Sequence, residues 1–514
     1  MATVVKSMSV EGIEGFEVEI EATTIRGQQQ MISVIGLGDQ AVKEAAERIQ
    51  AALEHDGFDI PKNKTIISLA PGNRRKRGSH YDLGMTIALL QQTQQIAAKD
   101  LDQYVLIGEL SLNGRLRPCN GILSMISEAK KQGIPSAIVP YENCLEAKTI
   151  SGINVYGFKN LREVVRFIEG KEISQMNVLQ ASVVEQEGSK ELDFRDVKGQ
   201  NDLITSIVLA AAGGHNILMI GEPGCGKTMI AQRISTILPE MSEEEALAVT
   251  KIHSISGLLR NGQSLMVQRP FRAPHHNISL NALIGGGTYA QPGEVSLAHN
   301  GVLFLDELAE FSKSTLDALR QPLEDKQVTI ARVNGINTYP ANFMFVAAMN
   351  PCPCGYYPSS RCKCTDYEIM HYRGKISGPI LERIDIQKNV KHVNYFELSG
   401  ETSAPSSAEL RDKVKLARKI QQKRFQNSPQ IYCNAQMPTA MIQKYCALDE
   451  ESTRLLREAS EKYGYSARVI HKLMRLARTA ADLAGEEKIR QKDIQLVLKC
   501  RDLDRSNSEM YVIK

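Results

Sequence analysis

The chain has 514 residues, 42% hydrophobic and 24% charged, and Lys+Arg 62 against Asp+Glu 59 leaves a formal charge of only +3. Such a length is too great for one compact core and points to about two to four domains. The charge balance excludes a polycation that grips nucleic acid by overall charge, so any such contact needs local basic patches or an assembled pore.

No run approaches the roughly 20 apolar residues that span a bilayer. The opening "MATVVKSMSVEGIEGFEVEI" mixes acids among its apolar residues, unlike a signal peptide. A cytoplasmic protein without membrane attachment is expected, and its 10 cysteines are then not expected to form structural disulfides.

Across residues 1–175, strand-like and helix-like patterns alternate. "FEVEIEATT" and "QMISVIGL" alternate apolar and polar side chains with period two, which predicts strands. "DQAVKEAAERIQAALEHDG" starts at a capping Asp39, spaces its apolar residues by three and four, and closes on Gly57, which predicts a helix. "KTIISLAP", "YVLIGELSLNGRLRP" and "PSAIVP" read as further strands; "GILSMISEAKKQG" and "LREVVRFIEGK" read as helices. This block is an α+β or α/β domain without a phosphate loop. Its "NRRKRG", residues 73–78, is a basic cluster on an expected loop, either a contact for a phosphate backbone or a solvated turn.

A polar linker, "QASVVEQEGSKELD", follows, and a new pattern occupies residues 190–395. "NDLITSIVLAAAGG" predicts a helix and "HNILMI" a buried strand; a glycine loop and the helix "KTMIAQRISTILP" come next. "GVLFLDE" is a second buried strand and "ANFMFVAAMNP" a third. Buried strands alternating with helices predict a parallel sheet covered on both faces. "VTIARVNGINTYP" predicts a β-hairpin turning at Asn-Gly, with Arg332 near its tip, a shape suited to contacting nucleic acid. "ELSGETSAPSSAEL" reads as a second linker, and residues 400–514 as a small all-α domain of about four or five helices.

The glycine loop carries the sharpest signal. Gly221, Glu222, Pro223, Gly224, Cys225, Gly226, Lys227 and Thr228 match G-x-x-x-x-G-K-[ST] between an expected strand and an expected helix. The glycines let backbone N–H groups approach phosphate oxygens, and the helix adds its positive end. Lys227 supplies a point charge for the β- and γ-phosphates, and the Thr228 hydroxyl a ligand for Mg²⁺. Downstream, Asp306 at a strand end is placed to hold Mg²⁺ through a water, and Glu307 to polarise the attacking water. Asn350 ends the third strand and can orient that water. Arg383 follows a short helix, and Arg468 opens a helix of the C-terminal domain. Either is suited to meet charge developing on the γ-phosphate, from its own or a neighbouring subunit; the plain alternative for each is a surface salt bridge.

"NPCPCGYYPSSRCKCT" sets Cys352, Cys354, Cys362 and Cys364 at C-x-C-x7-C-x-C in an insert spanning 350–366. Four sulfurs in a loop with Gly and Pro turns can close a tetrahedral zinc site, and an iron–sulfur cluster or four free thiols are the alternatives. Cys119, Cys144, Cys225, Cys433, Cys446 and Cys500 are isolated and read as core or surface residues. His275 and His276, adjacent in "RAPHH", read as structural.

Taken together, GEPGCGKT, "RPFRAPHHNIS", "PGEVSLAHNGVLFLDEL", "LRQPLEDKQVTIARV", "AAMNPCPCG" and "SGPILERIDI" resemble the magnesium-chelatase-like AAA+ ATPases, in the ComM/YifB branch. The resemblance covers essentially the whole chain. It implies a P-loop AAA+ parallel sheet with an α-helical lid, of the helix-2-insert and pre-sensor-hairpin type shared with MCM helicases. It also implies a homo-oligomeric ring, usually a hexamer, with ATP at subunit interfaces. By this likeness Lys227 and Thr228 are Walker A residues, Asp306 and Glu307 the Walker B pair, Asn350 sensor 1, Arg383 the trans arginine finger and Arg468 sensor 2. The first domain resembles the ribosomal-S5-like fold of the Lon protease domain through "IGELSLNGRLRPCNGIL". Where that protease has its serine this chain has His80, beside Ser79, and where it has its lysine this chain offers Leu123 or Met125. Without the lysine nothing activates a serine, so a proteolytically inactive domain is expected.

For this branch the implied task is DNA work: helicase action or branch migration during recombination of incoming DNA, by a ring that moves its hairpins along a strand. The alternative is a protein-remodelling ATPase like the magnesium-chelatase motor subunit.

Overall fold

The computed structural model describes residues 2–25, 31–171, 192–259, 264–332, 335–393, 404–428 and 430–504. The chain divides into two compact units: Met1–Gln186 with Glu243–Met266, and Glu187–Ser242 with Val267–Lys514. This differs from a division into three consecutive blocks. The expected 190–395 block is interrupted, because residues 243–266 cluster with the first unit, and the C-terminal helices share the second unit with the parallel sheet. Most of the first expected linker lies outside the described residues, as does the start of the second.

In the first unit the strands are β1 (Thr3–Glu11), β2 (Glu14–Ile25), β3 (Ile32–Ile35), β4 (Lys64–Ala70), β5 (Tyr104–Leu106), β6 (Glu109–Leu110), β7 (Leu116–Arg117), β8 (Ser136–Pro140) and β9 (Asn154–Phe158). Seven of them form a mixed sheet in the order β3-β4-β2-β1-β5-β8-β9. In β2, Phe16, Val18, Ile20 and Ala22 point inward while Glu19 and Glu21 face out, the alternation a one-face-buried strand requires. One core gathers these residues with helix Ala45–Asp56 and helix Asp82–Gln92; another gathers Met8, Val105 and Ile107 with helix Ile122–Lys131. Helix Asp82–Gln92 is buried from Asp82 through Leu90, so it lacks the polar face that marks a helix in sequence.

Residues 243–266 are fastened inside this unit by Ser254. Its hydroxyl donates to Glu146 Oε1 at 2.5 Å and accepts from the Gly121 N–H at 2.9 Å. The basic run 73–78 is not a uniformly solvated cluster: Lys76 is fully buried, its ammonium donating to the Pro71 carbonyl, and Arg74 covers the Phe16 ring at 4.9 Å.

The second unit holds β10 (Ile217–Gly221), β11 (Phe271–Arg272), β12 (Gly285–Gly286), β13 (Gln291–Pro292), β14 (Val302–Leu305), β15 (Gln327–Arg332), β16 (Gly335–Pro340), β17 (Met344–Met349) and β18 (Ile386–Val390). Five make a wholly parallel sheet, β11-β14-β17-β10-β18, whose inner strands are buried throughout. Two hairpins, β12–β13 and β15–β16, stand apart from it. The second pairs Arg332 with Gly335; its turn residues 333–334 lie outside the described set.

The lid comprises helices Ser407–Arg424, Thr439–Tyr445, Glu450–Tyr463, Ala467–Leu483 and Gln491–Leu498. Ser406 caps the first, with Glu409 completing a capping box. Val414, Leu473 and Ile494 enter the same core as Ile217 and Val346 of the sheet. The lid is further pinned by a buried charge cluster at the sheet's N-terminal edge. Asp385 accepts from Lys472 Nζ at 2.6 Å and from the Asn216 N–H at 3.0 Å, with His215 Nδ1 at 3.4 Å. Burial would raise the Asp385 carboxyl, but Lys472 and His215 outweigh it and hold it far below the usual carboxylate range.

Candidate active site

In a parallel sheet every strand ends on the same edge, and catalytic groups collect there. Register places Ile220 beside Met349 and Leu305 beside Ala347, so the residues following β10, β14 and β17 are neighbours. They are the glycine loop, Asp306–Glu307 and Asn350.

The loop turns through Gly224 and Gly226, at φ +80° and +87°, a region that side chains with a Cβ rarely occupy. Helix Lys227–Ile237 begins directly after it, so its unpaired N–H groups face the loop. Lys227 is 8% exposed. Its ammonium donates to the carbonyls of Gly221 (2.7 Å) and Glu222 (3.0 Å) and to Asn350 Oδ1 (3.2 Å). The same contact that joins the first and third strand ends therefore holds the cation over the loop. Cys225 is buried, its sulfur 3.9 Å from the same ammonium.

Thr228 Oγ1 donates to Asp306 Oδ2 at 2.6 Å. A hydroxyl and a carboxylate so close are hard oxygen donors of the kind that would hold Mg²⁺. Glu307 sits at φ +52°, unusual for a residue with a Cβ, and its N–H donates to Asp306 Oδ1 at 2.9 Å. Its carboxylate does not point free: His276 Nδ1 lies 3.1 Å from Glu307 Oε2. The sequence gives His276 no partner; the strand order supplies this one. β11 and β14 pair Arg272 with Leu303, and four residues further along each segment stand His276 and Glu307. Only the strand order reveals that adjacency.

The two arginines lie elsewhere. β18 pairs Ile386 with Ile217, the first residue of β10, and the Asn216 side chain donates to the Arg383 carbonyl at 2.9 Å. Arg383 is thus at the N-terminal edge of the sheet, a strand's length of roughly 13 Å from the loop that follows Gly221. Arg468 joins it there. Both guanidiniums lie 2.7 Å from the same oxygen, Glu324 Oε1, and Arg468 also reaches Glu382 at 3.7 Å. Glu324 belongs to the short helix Arg320–Asp325, inside the run "LRQPLEDKQVTIARV" that carries the family resemblance, but the sequence gives it no role of its own.

Cys352, Cys354, Cys362 and Cys364 have sulfurs all within 4.8 Å of one another. Cys352 Sγ is 3.4 Å from Cys354 and 3.7 Å from Cys362, and the last two are 3.6 Å apart. Disulfide sulfurs lie at about 2.05 Å. Tetrahedral ligands each about 2.3 Å from a zinc ion lie about 3.8 Å from one another. The observed spacing fits the second arrangement.

In the first unit, Ser79 Oγ donates to Glu109 Oε2, and His80 is pushed down to about 4 by burial. Leu123 and Met125 are both buried in apolar packing.

Three family models match in sequence: "Subunit ChlI of Mg-chelatase" over residues 19–143, "Magnesium chelatase, subunit ChlI" over 193–398, and its C-terminal part over 404–501. The competence protein ComM of Haemophilus influenzae is 37% identical over 511 residues, 98% of each chain. YifB of Salmonella typhimurium is 39% identical over 475 residues, 92% of each chain. Lon protease 2 of Bacillus subtilis is 25% identical over 224 residues, covering 38% of this chain and 40% of that one. With the strand-edge site in place and relatives matched nearly end to end, the chain belongs to the magnesium-chelatase-like family, as a ComM/YifB-type member.

Proposed function

We propose that the chain is a cytoplasmic ATP-hydrolysing motor that assembles into a homo-oligomeric ring, a hexamer, and acts on single-stranded or branched DNA. The observation that carries this reading is the separation of the phosphate loop from the pair Arg383 and Arg468, which share Glu324 at the opposite edge of the sheet. Neither arginine can serve its own subunit's phosphates across roughly 13 Å of strand. Each subunit therefore offers one half-site at each edge, and a head-to-tail contact repeated around a closed ring joins them.

At that interface Lys227 and the loop amides grip the phosphates, and Thr228 and Asp306 hold Mg²⁺. The ion, when bound, neutralises charge on the β- and γ-phosphates. Glu307, released from His276, takes a proton from the attacking water while Asn350 orients it. Arg383 and Arg468 of the next subunit meet the charge on the departing phosphoryl group. The four cysteines hold a zinc ion.

DNA as substrate is supported by the β15–β16 hairpin and by the name of the Haemophilus relative, a competence protein. Arg332 at the hairpin's end donates to Asn281 of helix Leu280–Ile284 at 2.9 Å, which links the two segments that precede and follow the Glu307 strand. The test is an ATPase titration with single-stranded, duplex and forked DNA beside a branch-migration assay. Stimulation by forked or single-stranded DNA that fades steeply with salt is expected. An ATPase rate indifferent to every DNA would instead favour a protein-remodelling subunit, a reading supported by the three matches to magnesium-chelatase models.

A further inference from the structure

The cysteine loop touches the phosphate loop at three points. Pro351 alone separates Asn350, whose side chain bonds Lys227, from Cys352, the most buried of the four sulfur residues. Gly355, at φ +86°, lies so close to Pro223 that an added Cβ would stand 2.7 Å from the proline ring. Arg361 reaches Glu222 Oε2 at 2.5 Å, with its guanidinium plane over the Tyr356 ring at 4.8 Å. Glu222 and Pro223 are the second and third residues of the phosphate-binding sequence.

Residues 350–364 contain no helix or strand, and only Pro351, Cys352 and Gly355 among them are buried. Short turns, Gly355 N–H to Cys352 carbonyl at 3.0 Å and Cys362 N–H to Ser359 carbonyl at 2.9 Å, fold the segment back so that its sulfurs converge. A loop this short with so little apolar burial gains its definition from a cross-link, and a metal bound by four thiolates supplies one. Gly355 lies next to Cys354 and Arg361 next to Cys362, so both contacts to the phosphate loop are one residue from a sulfur ligand.

We propose that the cysteine loop is a metal-held brace on the nucleotide site: a soft divalent cation bound by Cys352, Cys354, Cys362 and Cys364 fixes Gly355 and Arg361, which in turn hold Pro223 and Glu222 in the nucleotide-binding shape. It rests on the reading of the quartet as a metal site. The charge logic is direct. A free Glu222 carboxylate at the mouth of the loop repels the phosphates; paired to Arg361 it is neutralised and held aside. Arg361 is a positioning residue in this scheme, acting on the nucleotide through Glu222.

The experiment measures zinc content and the equilibrium affinity for a fluorescent ATP analogue on the full-length chain, with thermal melting as a check on folding. For Arg361→Ala, zinc content stays at that of the parent and affinity falls about threefold to fivefold, the weight of a half-exposed ion pair. Arg361→Lys restores most of that affinity. Chelation of the metal lowers affinity by at least as much, and added zinc recovers it. Gly355→Ala, whose methyl must displace Pro223, weakens nucleotide binding with zinc retained. A parent protein that holds no zinc overturns the metal site and the brace together. A protein that holds zinc but binds nucleotide equally well after chelation, as Arg361→Ala and as Gly355→Ala, overturns the brace and leaves the metal site standing.

Discussion

His276 Nδ1 stands 3.1 Å from Glu307 Oε2, so the carboxylate proposed to activate water is held by a side chain from the neighbouring strand's extension. Glu307 is about half exposed and the pair is accordingly weak, on the order of 1 kcal/mol. His276→Ala is expected to raise basal ATP turnover by about fivefold. Glu307→Gln is expected to keep ATP bound while turnover falls by about 10²-fold or more, the usual weight of a general base. Steady-state ATPase rates and nucleotide retention on the two variants check both, and unchanged turnover in Glu307→Gln would remove its assigned role.

Arg383 and Arg468 share Glu324 far from their own phosphate loop. Each changed to Ala is expected to lower turnover by about 10³-fold, the lower range for an arginine that meets a transferring phosphoryl group. Mixing tells cis from trans. Lys227→Ala subunits and Arg383→Ala subunits, each inactive alone, should regain part of the activity together, because mixed interfaces pair an intact loop with intact arginines. No recovery in verified mixed rings would mean that the arginines do not act across an interface.

Arg332 closes the β15–β16 hairpin and bonds Asn281. Arg332→Ala should leave basal ATPase within about twofold and remove most of its stimulation by DNA. The salt dependence of DNA binding should also become shallower, its slope falling by about one, the share of a single arginine on a phosphate. Equal stimulation in variant and parent would exclude the hairpin as a DNA contact.

Two neighbours in the first unit respond to acid in opposite senses. His80 is pushed down to about 4 by burial, so its contribution to stability is present above about 6.5 and is lost as pH falls through about 4. Asp82, fully buried against Arg48 at 2.8 Å, is raised to about 6 because burial outweighs that pairing. Its contribution is present below about 3.8 and is lost as pH rises through about 6. Each swing is on the order of 3 kcal/mol, and the two offset one another between about pH 4 and 6.5. His80→Gln removes one side, so acidification over that window should raise the variant's unfolding free energy relative to the parent's. Parallel pH profiles in denaturant melts would show that the two groups do not titrate this way.

Much of the molecule is legible in the sequence. The phosphate loop lies between β10 and helix Lys227–Ile237, the acid pair follows β14, and Asn350 ends β17, because buried parallel strands announce themselves as short unbroken apolar runs. The N-terminal β1 and helix Asp82–Gln92 are not. The first mixes lysine and serine into its apolar residues, and the second is buried on every side, so neither shows a clean period.

Local pattern alone determined which chemistry this chain can host. Glycines, a lysine and a threonine at fixed spacing make a phosphate cradle wherever the strand and helix form around them, since those requirements are satisfied within a few residues. Which side chains meet the candidate residues was decided only by tertiary structure. His276 meets Glu307 through strand order, Glu324 gathers two arginines 85 positions apart in number (468 − 383), and Arg361 crosses to Glu222 from a loop 139 residues away. Those partners carry no local signature, because an ion pair is set by where the backbone brings two charges and not by their spacing along it.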